Sequence, residues 1–217
     1  MNRKLLPLLL LFAACTTEDY ETGDGDLSFM RADFAEVYTN SKSQMVSAMT
    51  DEGDSLVFDK PLEVKWVSTP DSCYRVLLYY NRKDEKVEPL SVQQVATPGL
   101  KKHNNKVPMD PLSVESSWKS TNGRYFNLGL VLKTAGDIGD KKHLIGISVD
   151  SLKIHDDGSC RYVLTLRHDQ NDIPQYFSHP LYLSIPLKSR SMPLSVGDTL
   201  LLRVNTFSGM KELILPF

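Results

Sequence analysis

Gln44-Met45-Val46-Ser47-Ala48-Met49-Thr50-Asp51-Glu52-Gly53-Asp54-Ser55-Leu56-Val57-Phe58 is the stretch whose reading decides the fold. Two short runs rich in Val, Leu, Met and Phe flank a cluster of acidic residues and glycine, and no helical spacing crosses them. Acidic side chains initiate turns, and Gly53 takes a positive φ without a Cβ penalty. The stretch therefore reads as a strand Gln44 to Thr50, a turn Asp51 to Asp54 and a strand Ser55 to Phe58. The same pattern continues outward. Leu27 to Tyr38 precedes it, and Leu62 to Val67, Tyr74 to Asn81 and Val87 to Val92 follow, with Thr69-Pro70-Asp71-Ser72 breaking the chain before the apolar run. About five strands in roughly seventy residues, with no long helix, suit a small closed or partly open barrel over residues 27–97.

Pro98, Gly99, Pro108 and Pro111 surround the polar block Lys101 to Lys106, so residues 98–111 read as a linker. Strands then resume at Leu112 to Trp118, Arg124 to Lys133, His143 to His155, Cys160 to His168, Leu181 to Lys188, Thr199 to Thr206 and Lys211 to Leu215. Asn122-Gly123, Asp157-Gly158 and Ser208-Gly209 supply hairpin turns between them. About seven strands in roughly a hundred residues is the count of a β-sandwich, expected over residues 112–217. The fold class is all-β, a small barrel followed by a sandwich.

The first fifteen residues bear on location. Asn2-Arg3-Lys4 is a cationic start, Leu5 to Phe12 is apolar, and Ala13-Ala14 leads into Cys15, which reads as an export signal. The apolar run is too short for a spanning helix and contains Pro7. Phe12-Ala13-Ala14-Cys15 resembles the lipobox of bacterial lipoproteins, which implies acylation of the Cys15 thiol and a permanent membrane tether. The alternative is an ordinary secretory signal in which Cys15 is incidental. Residues 16–26 are polar and acidic, and read as a flexible tether. Within them Glu18-Asp19 resembles the acidic signal that routes some lipoproteins of the Bacteroides group to the outside of the outer membrane.

Composition narrows the partners. The 217 residues hold 25 Lys and Arg against 27 Asp and Glu, and the formal charge of −2 falls further when Arg3 and Lys4 leave with a signal. No basic stripe is present, so nucleic acid is not an expected partner. The remaining thiols, Cys73 and Cys160, are expected to be free, because a bridge between two strand starts in separate domains needs Cα atoms within about 7 Å.

Catalytic patterns are absent. His103, His143, His155, His168 and His179 lack the spacing that places two imidazoles on one metal, and read as surface and loop residues. Gly146-Ile147-Ser148-Val149-Asp150 begins like a nucleophile elbow but lacks the closing glycine and the following helix. No phosphate loop or dinucleotide motif occurs, so neither a cofactor nor a metal is expected, and a binding role is preferred over an enzyme. Two stretches are candidate contact surfaces. Arg75, Tyr79 and Tyr80 lie on one strand whose faces alternate, either presented to solvent or covered by the barrel core and the second domain. Arg167 to Phe177 reads as a long loop in which Asp169, Asp172 and Tyr176 are the binding candidates for a protein, peptide or glycan ligand. Its aromatic end has the alternative role of plugging the sandwich.

Several of these stretches resemble the NigD-like lipoproteins of Bacteroides and Prevotella. The resemblance is carried by Gly23-Asp24-Gly25-Asp26-Leu27-Ser28, Arg31-Ala32-Asp33-Phe34, Thr50 to Leu56, Leu78-Tyr79-Tyr80-Asn81, Arg124-Tyr125-Phe126-Asn127-Leu128 and His168-Asp169-Gln170-Asn171-Asp172. It implies an OB-like N-terminal barrel, a C-terminal β-sandwich and a lipid anchor in the cell envelope, at the outer membrane. It carries no catalytic residues across. Because the family name comes from a bacteriocin operon, it also implies an immunity-type alternative, in which a tethered protein intercepts a toxin. An uncharacterised envelope enzyme is the second alternative.

Overall fold

The computed structural model describes residues 30–83, 86–102, 108–189 and 192–217. The expected signal, Cys15 and the tether 16–26 lie outside the described residues, as does His103. Strands β1 (Met30–Thr39), β2 (Met45–Thr50), β3 (Ser55–Leu62), β4 (Cys73–Lys83) and β5 (Lys86–Gln94) form a closed barrel in the order β1-β2-β3-β5-β4. Antiparallel β1–β4 pairing completes the circuit on one side, and a single parallel contact of Phe58 with Val87 completes it on the other. The deciding hairpin is present as read. Gly53 takes φ 95°, and its N–H donates to the Thr50 carbonyl at 3.1 Å.

Alternation along the strands fills the barrel. Ala35, Val37, Met45, Ala48, Leu56, Phe58, Val76, Leu78 and Tyr80 point inward and are buried. Leu62 to Val67 departs from the reading. Ser55 to Leu62 is one strand and Val64 to Val67 is a turn, closed by Val67 N–H to the Val64 carbonyl at 3.0 Å. Pro61 does not break the strand because β3 meets β5 only at Phe58, so beyond that point a missing N–H on the open side costs little.

The remaining strands are β6 (Leu100–Lys102), β7 (Ser113–Lys119), β8 (Tyr125–Thr134), β9 (Leu144–Ile154), β10 (Cys160–Asp169), β11 (Phe177–Pro186), β12 (Lys188–Ser189), β13 (Met192–Pro193), β14 (Thr199–Thr206) and β15 (Gly209–Pro216). They build a five-stranded sheet, β15-β14-β10-β9-β6, and a three-stranded sheet, β11-β8-β7, with a small β12-β13 pair. The layers share one apolar core, in which Leu112, Leu128, Leu130, Leu164, Leu183, Ile185, Leu200, Leu202 and Val204 have no exposed surface. Among the described residues there is no helix.

The described parts of the stretch 98–111, residues 98–102 and 108–111, are not a free linker. β6 pairs in parallel with β9, Leu100 packs against the sandwich core, and bridges join Ala96 to Leu183 and Met109 to His168. Pro98, Pro108 and Pro111 all lie outside β6, where no ladder N–H is missing, and Leu100 holds that strand to the core. Barrel and sandwich therefore meet near Val95, whose N–H donates to the Arg75 carbonyl at 3.2 Å.

Cys73 and Cys160 are both free. Alkylation and non-reducing mass spectrometry of the folded chain is expected to find two unlinked thiols, with exposed Cys73 labelled before half-buried Cys160. A species lighter by two hydrogens, with linked Cys73 and Cys160 peptides, is the outcome that contradicts this.

Candidate functional site

Among the described residues the expected binding candidates fall in two polar and aromatic places, one buried and one facing solvent. The buried one is the junction of barrel and sandwich. Its centre is Arg75 on β4, which is 7% exposed and points away from the barrel interior. Nη1 and Nη2 donate to the two Asp51 carboxylate oxygens at 2.7 and 2.6 Å, a bidentate pair that fits the planar guanidinium. Nη2 also donates to Asn127 Oδ1 and Nε to Ser184 Oγ, each at 3.2 Å. Asn127 Nδ2 donates back to Asp51 at 3.1 Å, and the Ser184 hydroxyl donates to Asn127 Oδ1 at 2.7 Å. The network closes on itself, which is what buried polar groups require.

Aromatic rings complete the junction. The guanidinium carbon lies 4.1 Å from the Tyr125 ring centroid, and Phe34 meets Trp118 and Tyr182 edge-on at 5.2 and 5.1 Å. Beside them buried Glu36 accepts from Tyr125 OH at 2.5 Å, Tyr38 OH at 3.1 Å and Arg124 Nη1 at 2.7 Å. Burial, and then the Glu36 carboxylate, push the Tyr125 phenol above its ordinary range.

Arg75 and Tyr80 are therefore not surface anchors. The alternation of β4 sends Tyr80 into the barrel, fully buried, where its hydroxyl donates to Asp33 at 2.7 Å, and burial with that carboxylate raises its pKa to about 12. Arg75 goes to the opposite face, which the sandwich covers. Tyr79, on the same side as Arg75, is half-buried.

The exposed place is the β10–β11 loop. β10 continues to Asp169 and β11 begins at Phe177, so the loop is Gln170 to Tyr176, shorter than the Arg167 to Phe177 expected. Asn171 and Asp172 take φ of 54° and 52°, a region that Asn and Asp tolerate better than most residues. Asp169 Oδ1 accepts the Asn171 N–H at 2.8 Å. Gln170, buried, donates its N–H to Asp110 Oδ2 at 2.7 Å and Nε2 to the Ile173 carbonyl at 2.7 Å, and accepts from Gln175 at 2.9 Å. Ile173 is buried at 3% exposure, and Tyr176 N–H donates to the Thr134 carbonyl at 2.8 Å. Outside, Lys141 Nζ donates to the Asp172 carbonyl and Asn171 Nδ2 to the Lys142 carbonyl, both at 3.2 Å.

This bracing presents aromatic surface. Tyr176 is 82% exposed and Phe177 45%, so the aromatic end stands in solvent and does not plug the sandwich, while Ile173 in the same loop is buried. Of the six binding candidates, the structure brings together Asp169, Asp172 and Tyr176 and separates them from Arg75, Tyr79 and Tyr80.

Behind the loop is a pair that histidine spacing did not suggest. His168 is 1% exposed, not a surface residue, and its Nε2 lies 3.0 Å from His143 Nδ1 with the rings stacked. Burial holds both imidazoles below their ordinary value. The two are 25 residues apart, and only the β9–β10 pairing aligns them, so no local signal marks the pair. Ser148 is also buried. It donates to Asp150 at 2.9 Å and accepts from Arg167 Nε at 3.0 Å, with no histidine among these contacts. Among the described residues no group of three or more His, Cys, Asp or Glu is arranged to hold a metal. Two open depressions of about 540 and 400 Å³ lie on the surface, the first beside Ser43, Gln44 and Glu63 and the second beside Ser113, Thr206 and Lys211.

Solved structures share this architecture. A NigD-like immunity protein from Bacteroides caccae is 22% identical, with a TM-score of 0.61, covering 85% of this chain and 91% of its own. A protein from Parabacteroides distasonis, described provisionally as toxin-related, is 19% identical, with a TM-score of 0.64 over 87% of this chain and 93% of its own. A protein from Bacteroides fragilis, described provisionally as a lipoprotein, is 12% identical, with a TM-score of 0.54 over 86% and 96%. No curated protein matches the sequence. Residues 95–217 match the NigD-like C-terminal beta sandwich domain, a segment that begins where the structure joins barrel to sandwich, and the chain belongs to the NigD-like family.

Proposed function

We propose that the protein is a cell-envelope lipoprotein, tethered through Cys15 to the outer membrane and facing outward, whose β10–β11 loop binds a protein partner. The observation that carries this is Tyr176, 82% exposed on a loop whose base is anchored by Gln170, Ile173 and the Tyr176 N–H itself. An exposed tyrosine on a braced loop loses little conformational freedom when it is covered, which is why such residues serve as interface anchors. Asp169 and Asp172 flank it with negative charge. The lipoprotein description of the Bacteroides fragilis structure supports the envelope location. An immunity-type role is the second reading, favoured by the description of the Bacteroides caccae protein as a NigD-like immunity protein. In that reading the partner is a toxin met at the membrane.

A photo-crosslinking amino acid at position 176 tests the contact in living cells, against the same probe at Ile154, 71% exposed on the β9–β10 hairpin. A discrete adduct at 176 and none at 154 is expected. Equal labelling, or none at 176, counts against the loop. Tyr176→Ala is expected to change folding stability by no more than about 0.5 kcal/mol, since it removes almost no buried surface. Toxin challenge of a deletion strain carrying wild-type or Tyr176→Ala protein separates the two readings. Protection that depends on Tyr176 supports immunity.

A further inference from the structure

We propose that the His143–His168 pair is a proton-operated latch, closed near neutral pH and released in acid, that holds the β10–β11 loop in its braced form. The consequence for binding rests on the role given above to Tyr176, whereas the latch itself does not.

The hydrogen bonds determine where the protons are. The Asp110 carbonyl only accepts, so His168 Nδ1, 3.0 Å from it, carries hydrogen. Neutral His168 then offers its Nε2 lone pair, and His143 Nδ1, 3.0 Å away, is the donor. His143 Nε2 is left as a lone pair, buried and without a partner among the described residues. One proton from solvent on His168 Nε2 would oppose the His143 Nδ1–H, so His143 must move its own hydrogen to Nε2, where nothing described accepts it. A second proton sets N–H against N–H and cation against cation. The rings must then part.

The groups around the pair set the direction. From the segment before β7, Asp110 faces His168, as does Asp169 from the end of β10, and both favour a charged ring. From β11, His179 faces His143 and disfavours one. Burial outweighs the carboxylates, and both rings are held below the ordinary 6.5. The released form therefore binds protons more readily than the closed form. The closed form is fully favoured above about pH 6.5 and loses stability as pH falls from there through the lower values of the closed state.

The pair is connected to the loop on both sides. His143 follows Lys141 and Lys142, which meet Asp172 and Asn171 through the bonds at 3.2 Å. His168 precedes Asp169 and Gln170, which form the base of the loop. Parting the rings withdraws 141–143 from the loop that it braces.

Amide hydrogen exchange of the full mature chain at pH 7.5 and 5.5, corrected for intrinsic exchange, reads the latch without any ligand. Residues 138–143 and 170–176 are expected to lose protection in acid, by up to about tenfold for each ring that titrates at the ordinary 6.5 when released and stays neutral when closed. β14 and β15 should not change. In His143→Asn the amide donates to neutral His168 and flips its oxygen toward the charged ring, so the acid step should largely disappear. Imidazole nitrogen NMR of the unaltered protein at pH 7.5 is expected to find both rings as Nδ1–H tautomers. An acid-insensitive loop, an unchanged step in His143→Asn, or an Nε2–H tautomer on His168 would overturn the proposal. Failure of the crosslink at position 176 would leave all three readouts in place.

Discussion

Replacing Arg75 with alanine is expected to destabilise the folded protein by about 3–5 kcal/mol, the effect of removing one partner of a buried ion pair and leaving the other uncompensated. Asp51 would lose both charge-assisted bonds at 2.7 and 2.6 Å, and Asn127 and Ser184 would lose their guanidinium contacts. A cavity beside Tyr125 would add to the cost. Because Arg75 and Asp51 come from the barrel while Asn127 and Ser184 come from the sandwich, the loss falls on the coupling of the two units. The chain has two tryptophans, and they report on the two sides. Trp66 packs on Tyr74 in the barrel, and Trp118 packs on Phe34 at the junction. In the unaltered protein, urea unfolding followed at either ring should give one coincident transition. In Arg75→Ala the midpoint should fall and the two transitions should separate. Asp51→Ala in the same background should cost much less than it does alone, with a coupling of about 0.5–3 kcal/mol. A loss below about 1 kcal/mol for Arg75→Ala would show that sheet pairing and apolar packing hold the junction without the network.

The second large effect concerns Cys15 and is close to all-or-none. Under the proposed anchoring, two or three acyl chains at about 0.8 kcal/mol per buried methylene hold the protein on the membrane. Cys15→Ala removes the attachment atom. No helix among the described residues is long and apolar enough to cross a membrane. The variant is expected to move from the membrane to the soluble fraction and to take up no labelled fatty acid. If the variant stays with the membrane, or the unaltered protein incorporates no label, the anchor is wrong. The substitution alters no contact among the described residues, so the melting temperature is expected to stay the same, and a thermal melt of the variant checks that.

Strand identity was legible because it is local. In the second half, most expected segments lie within two residues of the observed ones, since turn residues such as Asp157-Gly158 and Ser208-Gly209 bound apolar runs. The errors have a common cause. The chain read as leaving its strand between Phe58 and Leu62, where Pro61 stands, and the prolines of 98–111 read as a linker, but a proline interrupts a ladder only where its N–H is needed, and whether a strand edge is open there is a tertiary fact. Arg75 illustrates the same limit on the site. Alternation along β4 shows that Arg75 and Tyr80 point in opposite directions, but it does not show what covers the second face.

By itself, then, the sequence determined an all-β chain of two units, the hairpin around Gly53, and a polar stretch at Asp169 to Tyr176 suited to exposure. These follow from turn chemistry and from the two-residue period of a strand, both of which act between near neighbours. Only the tertiary structure decided that Asp51, read as a turn residue, is the buried partner of Arg75, and that His143 and His168 share a hydrogen bond. It also decided that Ile173 is buried while Tyr176 stands in solvent. Each of these depends on which residues distant in sequence are brought within about 3–4 Å, and that is set by strand order and register, which no short-range pattern encodes.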